Sequence, residues 1–242
     1  MRHRMIALAG MCVMLGWVAA AAAAGPRVIL ALGNASFIDA QAVLQSTGAE
    51  VIQDPDKVQL KDVAVLVLAN IAYSNLPQPI RDGLVEYVSA GGSLLITGGA
   101  QSFGSGGYRA VASIIPFEMR TDKDWRPTPF RPPLPVQPGH PILAGVTFLT
   151  VGAVNDMNPR PDALEILQSP GGGGAGALGI TSGGSRVGGS YQYPLIAELR
   201  VGAGRVIGIA FDLSDFAGMR DRNLFVENTL RYLLASSRMG LG

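Results

Sequence analysis

The chain has 242 residues, of which 48% are hydrophobic and 15% charged, with 19 Lys and Arg against 18 Asp and Glu. That length holds one large or two small domains with a sizeable core, and that composition excludes a disordered chain. A formal net charge of +1 without a clustered basic stretch excludes a nucleic-acid footprint.

Residues 1–24 read as a secretory signal peptide. Arg2, His3 and Arg4 form a basic start, Met5 to Val18 an apolar run, and Ala19 to Ala24 supply small residues for cleavage before Gly25. The alternative is an uncleaved membrane anchor, because the run with its alanine tail approaches the length of a span. Cys12 lies inside the apolar run behind Met11, a poor lipobox residue, so a lipoprotein is not expected. Without Arg2 and Arg4 the chain carries 17 Lys and Arg against 18 Asp and Glu, a net charge of −1. The one cysteine, Cys12, leaves with the leader. The mature chain is therefore expected to rest on its core, with no disulfide, thiol nucleophile or thiolate ligand. Neither a cofactor nor a metal site is expected.

Arg27 to Gly33 is a continuous apolar run of the kind found in strands buried on both faces. Ser36 with Asp39 gives a helix-start pattern. Phe37, Ala40 and Leu44 recur at helical spacing, and Gly48 is the expected stop. Glu50 to Gln53 and Val63 to Ile71 are the second and third strands. Pro77 and Pro79 open a helix whose face is Ile80, Leu84, Tyr87 and Val88, and Gly91 ends it. Ser93 to Thr97 is the fourth strand. Strands alternating with helices predict an α/β fold with an open, mostly parallel sheet covered on both sides.

The pattern then weakens. Val111 to Ile115 suits one or two helical turns. Residues 119–141 are read as an extended surface excursion, because Pro116 and the seven prolines from Pro127 to Pro141 cannot donate to a ladder. Trp125 and Phe130 predict that it packs down. Phe148 to Val151 and Ala163 to Leu167 are short strand candidates. Residues 170–190 hold ten glycines and read as a flexible loop. Pro194 to Val201 and Arg205 to Phe211 predict a β-hairpin, Asp212 to Gly218 a polar turn. Arg220 to Ser236 predicts a helix with Val226, Leu230 and Leu233 inward.

Three stretches carry a family resemblance. They are Gly91 to Gly99 (GGSLLITGG) with Ser102-Phe103-Gly104-x-Gly106-Gly107-Tyr108; His140 to Leu143 (HPIL); and Pro194 to Ile196 with Gly204 to Asp212 (GRVIGIAFD). Together they resemble the glutamine amidotransferase-like domain of bacterial exported and membrane proteins, over roughly residues 27–236. The resemblance implies a class I glutamine amidotransferase-like, flavodoxin-like three-layer sandwich spanning 25–238, with the C-terminal hairpin and helix added. It also implies a place in a cell-envelope assembly, since such domains often accompany von Willebrand A-type and membrane-anchored proteins. Active members carry a Cys-His-Glu triad, with the cysteine on a strained strand-to-helix elbow that aims backbone N–H groups at the oxyanion. Here the elbow offers Thr97, Gly98, Gly99 and Ala100. His140 is the only histidine after the leader and lacks a His-x-Glu pattern. The resemblance thus implies the fold without the amidotransferase chemistry.

The candidate site is the rim where strands end. Asn34, Asn70, Gln101 and Asp212 fall at predicted strand ends on one side of a parallel sheet. Gly98, Gly99, Ser102, Gly104 and Tyr108 of the glycine loop join them. Free N–H groups of such a loop cradle an anion; alternatively the glycines serve a tight turn and close packing. His140 is a general base or a turn cap, and Ser102 is a replacement nucleophile only with His140 in reach. Asp212 and Asp215 hold a metal or a sugar hydroxyl, or cap the next helix. Asp54 and Asp56 are turn residues around Pro55. The expected function is an exported, catalytically inactive module binding a small polar ligand or an envelope protein, with the membrane met only through the leader or anchor. The alternatives are a hydrolase of an amide or carbohydrate using Ser102 and His140, and a purely structural interaction domain.

Overall fold

The computed structural model describes residues 27–127, 132–146, 151–169, 193–214 and 221–239. The leader, the glycine-rich stretch 170–190, Phe130, most of the strand candidate at 148–151 and Asp215 lie outside them.

The apolar runs form the strands their lengths predict. They are β1 (Val28–Gly33), β2 (Glu50–Ile52), β3 (Val63–Ala69) and β4 (Ser93–Thr97). Every residue of β3 is buried, as a central strand covered on both faces requires. Short strands follow: β5 (Phe117–Met119), β6 (Trp125–Pro127), β7 (Leu134–Pro135), β8 (Ala153–Asn155), β9 (Met157–Pro159) and β10 (Leu164–Gln168). The predicted hairpin is β11 (Pro194–Val201) and β12 (Gly204–Ile209).

The main sheet has the order β2-β1-β3-β4-β12-β11-β10-β7. From β2 to β12 all neighbours are parallel, and from β12 to β7 all are antiparallel. The parallel part is the 2-1-3-4-5 order of flavodoxin-like sheets, in which the order of strand addition reverses beside β1 and leaves a crevice above β1 and β3. Two apolar layers flank the sheet. Ile29, Val65, Val67, Leu95 and Ile207 face one side, while Leu30, Leu66, Leu68, Leu94 and Ile96 face the other. The α/β architecture expected from the sequence is therefore the one observed.

Among the described residues, three α-helices cover the layers: α1 (Ala40–Thr47), α2 (Gln78–Ser89) and α3 (Arg222–Ser236). In α2 the buried face is Ile80, Leu84, Tyr87 and Val88, and in α3 it includes Val226, Leu230 and Leu233, as the spacing predicts. The start of α1 differs from the sequence reading. Asp39, not Ser36, is the N-cap, its carboxylate accepting from the N–H groups of Gln41 and Ala42 at 3.0 Å each. Phe37 is buried ahead of the helix, and Val43 rather than Leu44 faces inward, leaving Leu44 half exposed. Gly48 closes α1 at φ +72°, as read. Asp54 caps the short 3-10 turn at Pro55–Lys57, as its place before the proline suggests.

The proline-rich excursion also departs from expectation. It is pinned by two small ribbons, β5 with β9 and β6 with β8, both antiparallel. The helical turns expected at Val111 to Ile115 are present as a 3-10 segment, Tyr108–Ile114. Among the described residues, no helix is long and apolar enough to cross a membrane.

Candidate functional site

The elbow at the end of β4 is held from every side. The Gly98 N–H donates to the Phe211 carbonyl at 3.0 Å, and the Ser102 N–H to the Gly99 carbonyl at 3.2 Å. The Gly99 N–H donates to Asn155 Oδ1 at 2.9 Å, and the Gln101 N–H to Asn70 Oδ1 at 2.9 Å. Two asparagine carboxamides thus occupy the N–H groups of Gly99 and Gln101 at the elbow. Asn70 also fills the elbow's side-chain space. Gly99 has φ +138°, and a Cβ there would overlap the Asn70 carboxamide. A cysteine at this position has no room while Asn70 stands where it does. Asn70 is itself at φ +42°, a left-handed conformation that asparagine tolerates better than most residues.

This packing makes a sharp prediction. Gly99→Ala is expected to destabilise the protein by about 2 kcal/mol or more, because it combines a positive φ with a clash. Adding Asn70→Gly should return part of that loss in urea unfolding. Equal losses with and without Asn70 would show that the carboxamide is not the obstacle.

The glycine loop that follows does cradle an anion, and the anion is the protein's own. Asp124, buried, accepts from the N–H groups of Gly104 at 2.9 Å and Ser105 at 3.0 Å. It also accepts from Ser105 Oγ at 2.6 Å and Asn155 Nδ2 at 2.9 Å. The remaining turns close internally: Gly106 N–H to Ser102 O, Gly107 N–H to Gly104 O, Tyr108 N–H to Phe103 O. Gly104 packs so tightly that a Cβ would overlap the Thr121 carbonyl. Phe103, at φ +49°, is held in this strained state by its burial and by edge-on packing against Phe117 at 5.5 Å. The anion-cradle reading of the loop is therefore corrected: its N–H groups serve Asp124 and the loop itself.

Several sequence candidates prove to be supports. Ser102 is buried and donates its hydroxyl to the Thr97 carbonyl at 2.6 Å. Tyr108 is fully buried and donates to the Ile71 carbonyl at 2.9 Å; burial pushes its phenol well above the usual range, so it stays neutral. Gly98, Gly99 and Gly104 are likewise buried.

His140 lies elsewhere. It caps the 3-10 turn Pro141–Leu143, with Nδ1 accepting from the Ile142 N–H at 3.4 Å. That fixes Nε2 as the protonated nitrogen, and it donates to Glu198 Oε2 at 3.1 Å. Glu198 also accepts from the Tyr232 hydroxyl at 2.8 Å and lies 3.0 Å from Arg205 Nη1. Ile142 belongs to the core layer under α3, whereas Phe103, next to Ser102, belongs to the opposite layer. Ser102 and His140 are therefore not brought together, and the serine-histidine hydrolase pair has no geometry here. The carboxylate that orients His140 was invisible as a neighbour in sequence, since Glu198 is 58 residues away.

What remains at the surface is a row of amides and one hydroxyl above one buried carboxylate. Asp212 Oδ1 accepts from the Ser214 N–H at 2.8 Å and from Ser214 Oγ at 2.5 Å, and Oδ2 from Asn70 Nδ2 at 2.7 Å. Asn34 Nδ2 donates to Ser214 Oγ at 2.7 Å. Because a carboxylate only accepts, these directions are fixed: Asn34 to Ser214 to Asp212, and Asn70 to Asp212. Asp212 thus closes a local turn and ties strand ends together. The cap of α3 is Asp221, so the helix-cap reading of Asp212 is corrected. Asn34 and Gln101 are exposed, Asn70 and Ser214 partly so. Asn155 and Asp124 were missed by sequence reading; an acceptor inventory for the loop's N–H groups would have pointed to an aspartate in the excursion. Among the described residues, no group of three or more His, Cys, Asp or Glu side chains is placed to hold a metal.

No family model matches the chain, and no curated protein matches it. Solved structures do. A cytoplasmic protein from Salmonella typhimurium is similar at 18% identity over 85% of this chain and 98% of that one, with a TM-score of 0.61. A second cytoplasmic protein, from Salmonella typhimurium LT2, has 13% identity over 86% and 98%, with a TM-score of 0.59. A ThuA-like protein from Bacteroides uniformis has 15% identity over 90% and 95%, with a TM-score of 0.54. At such identities the likeness is one of fold alone, the mostly parallel α/β sheet described above.

Proposed function

We propose that the chain is an exported, catalytically inactive member of the glutamine amidotransferase-like group that works as a ligand- or protein-binding module of the bacterial cell envelope. The carrying observation is the filled elbow. Asn70 takes the side-chain space at Gly99, and Asn155 and Asn70 take the N–H groups of Gly99 and Gln101. A module of this kind keeps the rim at the crevice above β1 and β3, where open α/β sheets take their ligands. Export is supported by the basic, apolar and small-residue order of residues 1–24.

The test has two arms. Purified protein is assayed for glutamine, amide and ester hydrolysis, with no turnover expected above buffer. The protein and an Asn34→Ala/Gln101→Ala double variant are then compared for thermal shifts with amino acids, sugars, nucleotides and divalent ions, and for retention of envelope proteins. Both substitutions are at exposed positions, so the fold should survive. A ligand or partner lost only by the variant supports the module; hydrolysis that survives purification to homogeneity sinks the inactive reading.

A further inference from the structure

From the chemistry left free at the rim, we infer that it receives an uncharged ligand bearing adjacent hydroxyl groups, a polyol or sugar, and rejects phosphate and carboxylate. This rests on the binding-module reading and narrows it.

Anions are disfavoured by two features. The N–H groups of the glycine loop, which would otherwise attract one, already hold the Asp124 carboxylate. The rim is built over a second carboxylate, Asp212, buried and close beneath Asn70 and Ser214. An incoming phosphate would face that negative charge in a partly desolvated setting, where repulsion is screened less than at an open surface.

Uncharged hydroxyls are favoured by what the amides have left. Asn70 donates one N–H to Asp212, and its Oδ1 accepts from the Gln101 N–H. Among the described residues, its second N–H has no partner. Asn34 donates one N–H to Ser214, and among the described residues its carbonyl oxygen and other N–H have none. The exposed Gln101 carboxamide adds another donor and acceptor. The carboxamides of Asn34 and Gln101 each set a donor beside an acceptor, Asn70 adds a donor, and neighbouring hydroxyls match such groups because each hydroxyl can give and take a hydrogen bond. These groups lie along one hydrogen-bonded rim, and together they match several hydroxyls on one small ligand. The bonds to Asp212 and Ser214 hold Asn70 and Asn34 in orientation beforehand, which lowers the ordering cost of binding.

The experiment is an amide-resolved NMR titration of the protein with myo-inositol, D-glucose and inorganic phosphate. The inference expects myo-inositol or glucose to shift the signals of Asn34, Gln101 and Ser214, phosphate to leave them in place, and Asn34→Ala/Gln101→Ala to weaken the polyol response at least about tenfold, the loss of one or two hydrogen bonds. Phosphate shifting those signals would overturn the inference while leaving the binding module standing. Rim signals unmoved by both polyols would overturn it as well, and the module would then be judged by envelope-protein retention alone.

Discussion

Asp124→Ala is expected to remove about 3–5 kcal/mol of stability, the range for taking one partner from a buried charged network. Four donors converge on this carboxylate, from Gly104, Ser105 twice, and Asn155. The substitution would leave them buried without an acceptor, and each such group costs about 1–3 kcal/mol. The damage should also have a direction. Asn155 carries the elbow through Gly99 and loses an anchor, so hydrogen exchange should accelerate across residues 98–108 first. Urea unfolding with exchange mass spectrometry reads both effects. A loss under about 1 kcal/mol, or uniform exchange, would mean that the loop holds itself without its internal anion.

Glu198→Ala should be comparably severe, again about 3–5 kcal/mol. Glu198 is buried in the middle of β11 and serves His140, Tyr232 and Arg205 together. Arg205 also stacks over the Tyr232 ring, 4.4 Å from its centroid. Burial lowers the guanidinium pKa and the nearby Glu198 charge opposes that, so the pair depends on the carboxylate. Glu198→Gln keeps the volume and an acceptor for Tyr232 and should cost less than the alanine. Denaturant midpoints of the two variants give the comparison. Equal losses would assign the effect to the charge, which both variants remove, rather than to packing, which glutamine keeps. This cluster joins β11, β12, α3 and the end of the proline-rich excursion, so the alanine variant should also loosen residues 137–146.

The parallel sheet was legible because its strands are uninterrupted apolar runs, each near the length of one element. Val63 to Ala69 admits hardly any other reading. The helices α2 and α3 were legible from the spacing of Ile80, Leu84 and Tyr87 and of Val226, Leu230 and Leu233. The ribbons were not. β5, β6, β8 and β9 have three residues each, and β6 finds its partner about thirty residues on, with no periodicity to mark the pairing. The rim was legible in part: Asn34, Asn70 and Asp212 each follow an apolar run. Its wiring was not, because Asn70 and Asp212 meet across 142 positions. Glu198 did leave a signal, a lone acid within Pro194 to Val201. A charge in a strand otherwise apolar through Leu199 implies waiting partners, although not which ones.

The proline-rich edge has a consequence for concentrated protein. The sheet ends at β7, two residues long, where Pro135 has no N–H and Pro132, Pro133 and Pro138 flank the strand. The opposite border, β2, spans three residues. A growing fibril needs a continuous ladder of donors and acceptors on which the next chain can align. One border of this sheet is two residues long with one of its donors missing, and the other is three residues long. Among the described residues, the borders of the main sheet are therefore poor templates for strand-by-strand growth, despite a core rich in Val, Leu and Ile that would aggregate readily if it were laid bare.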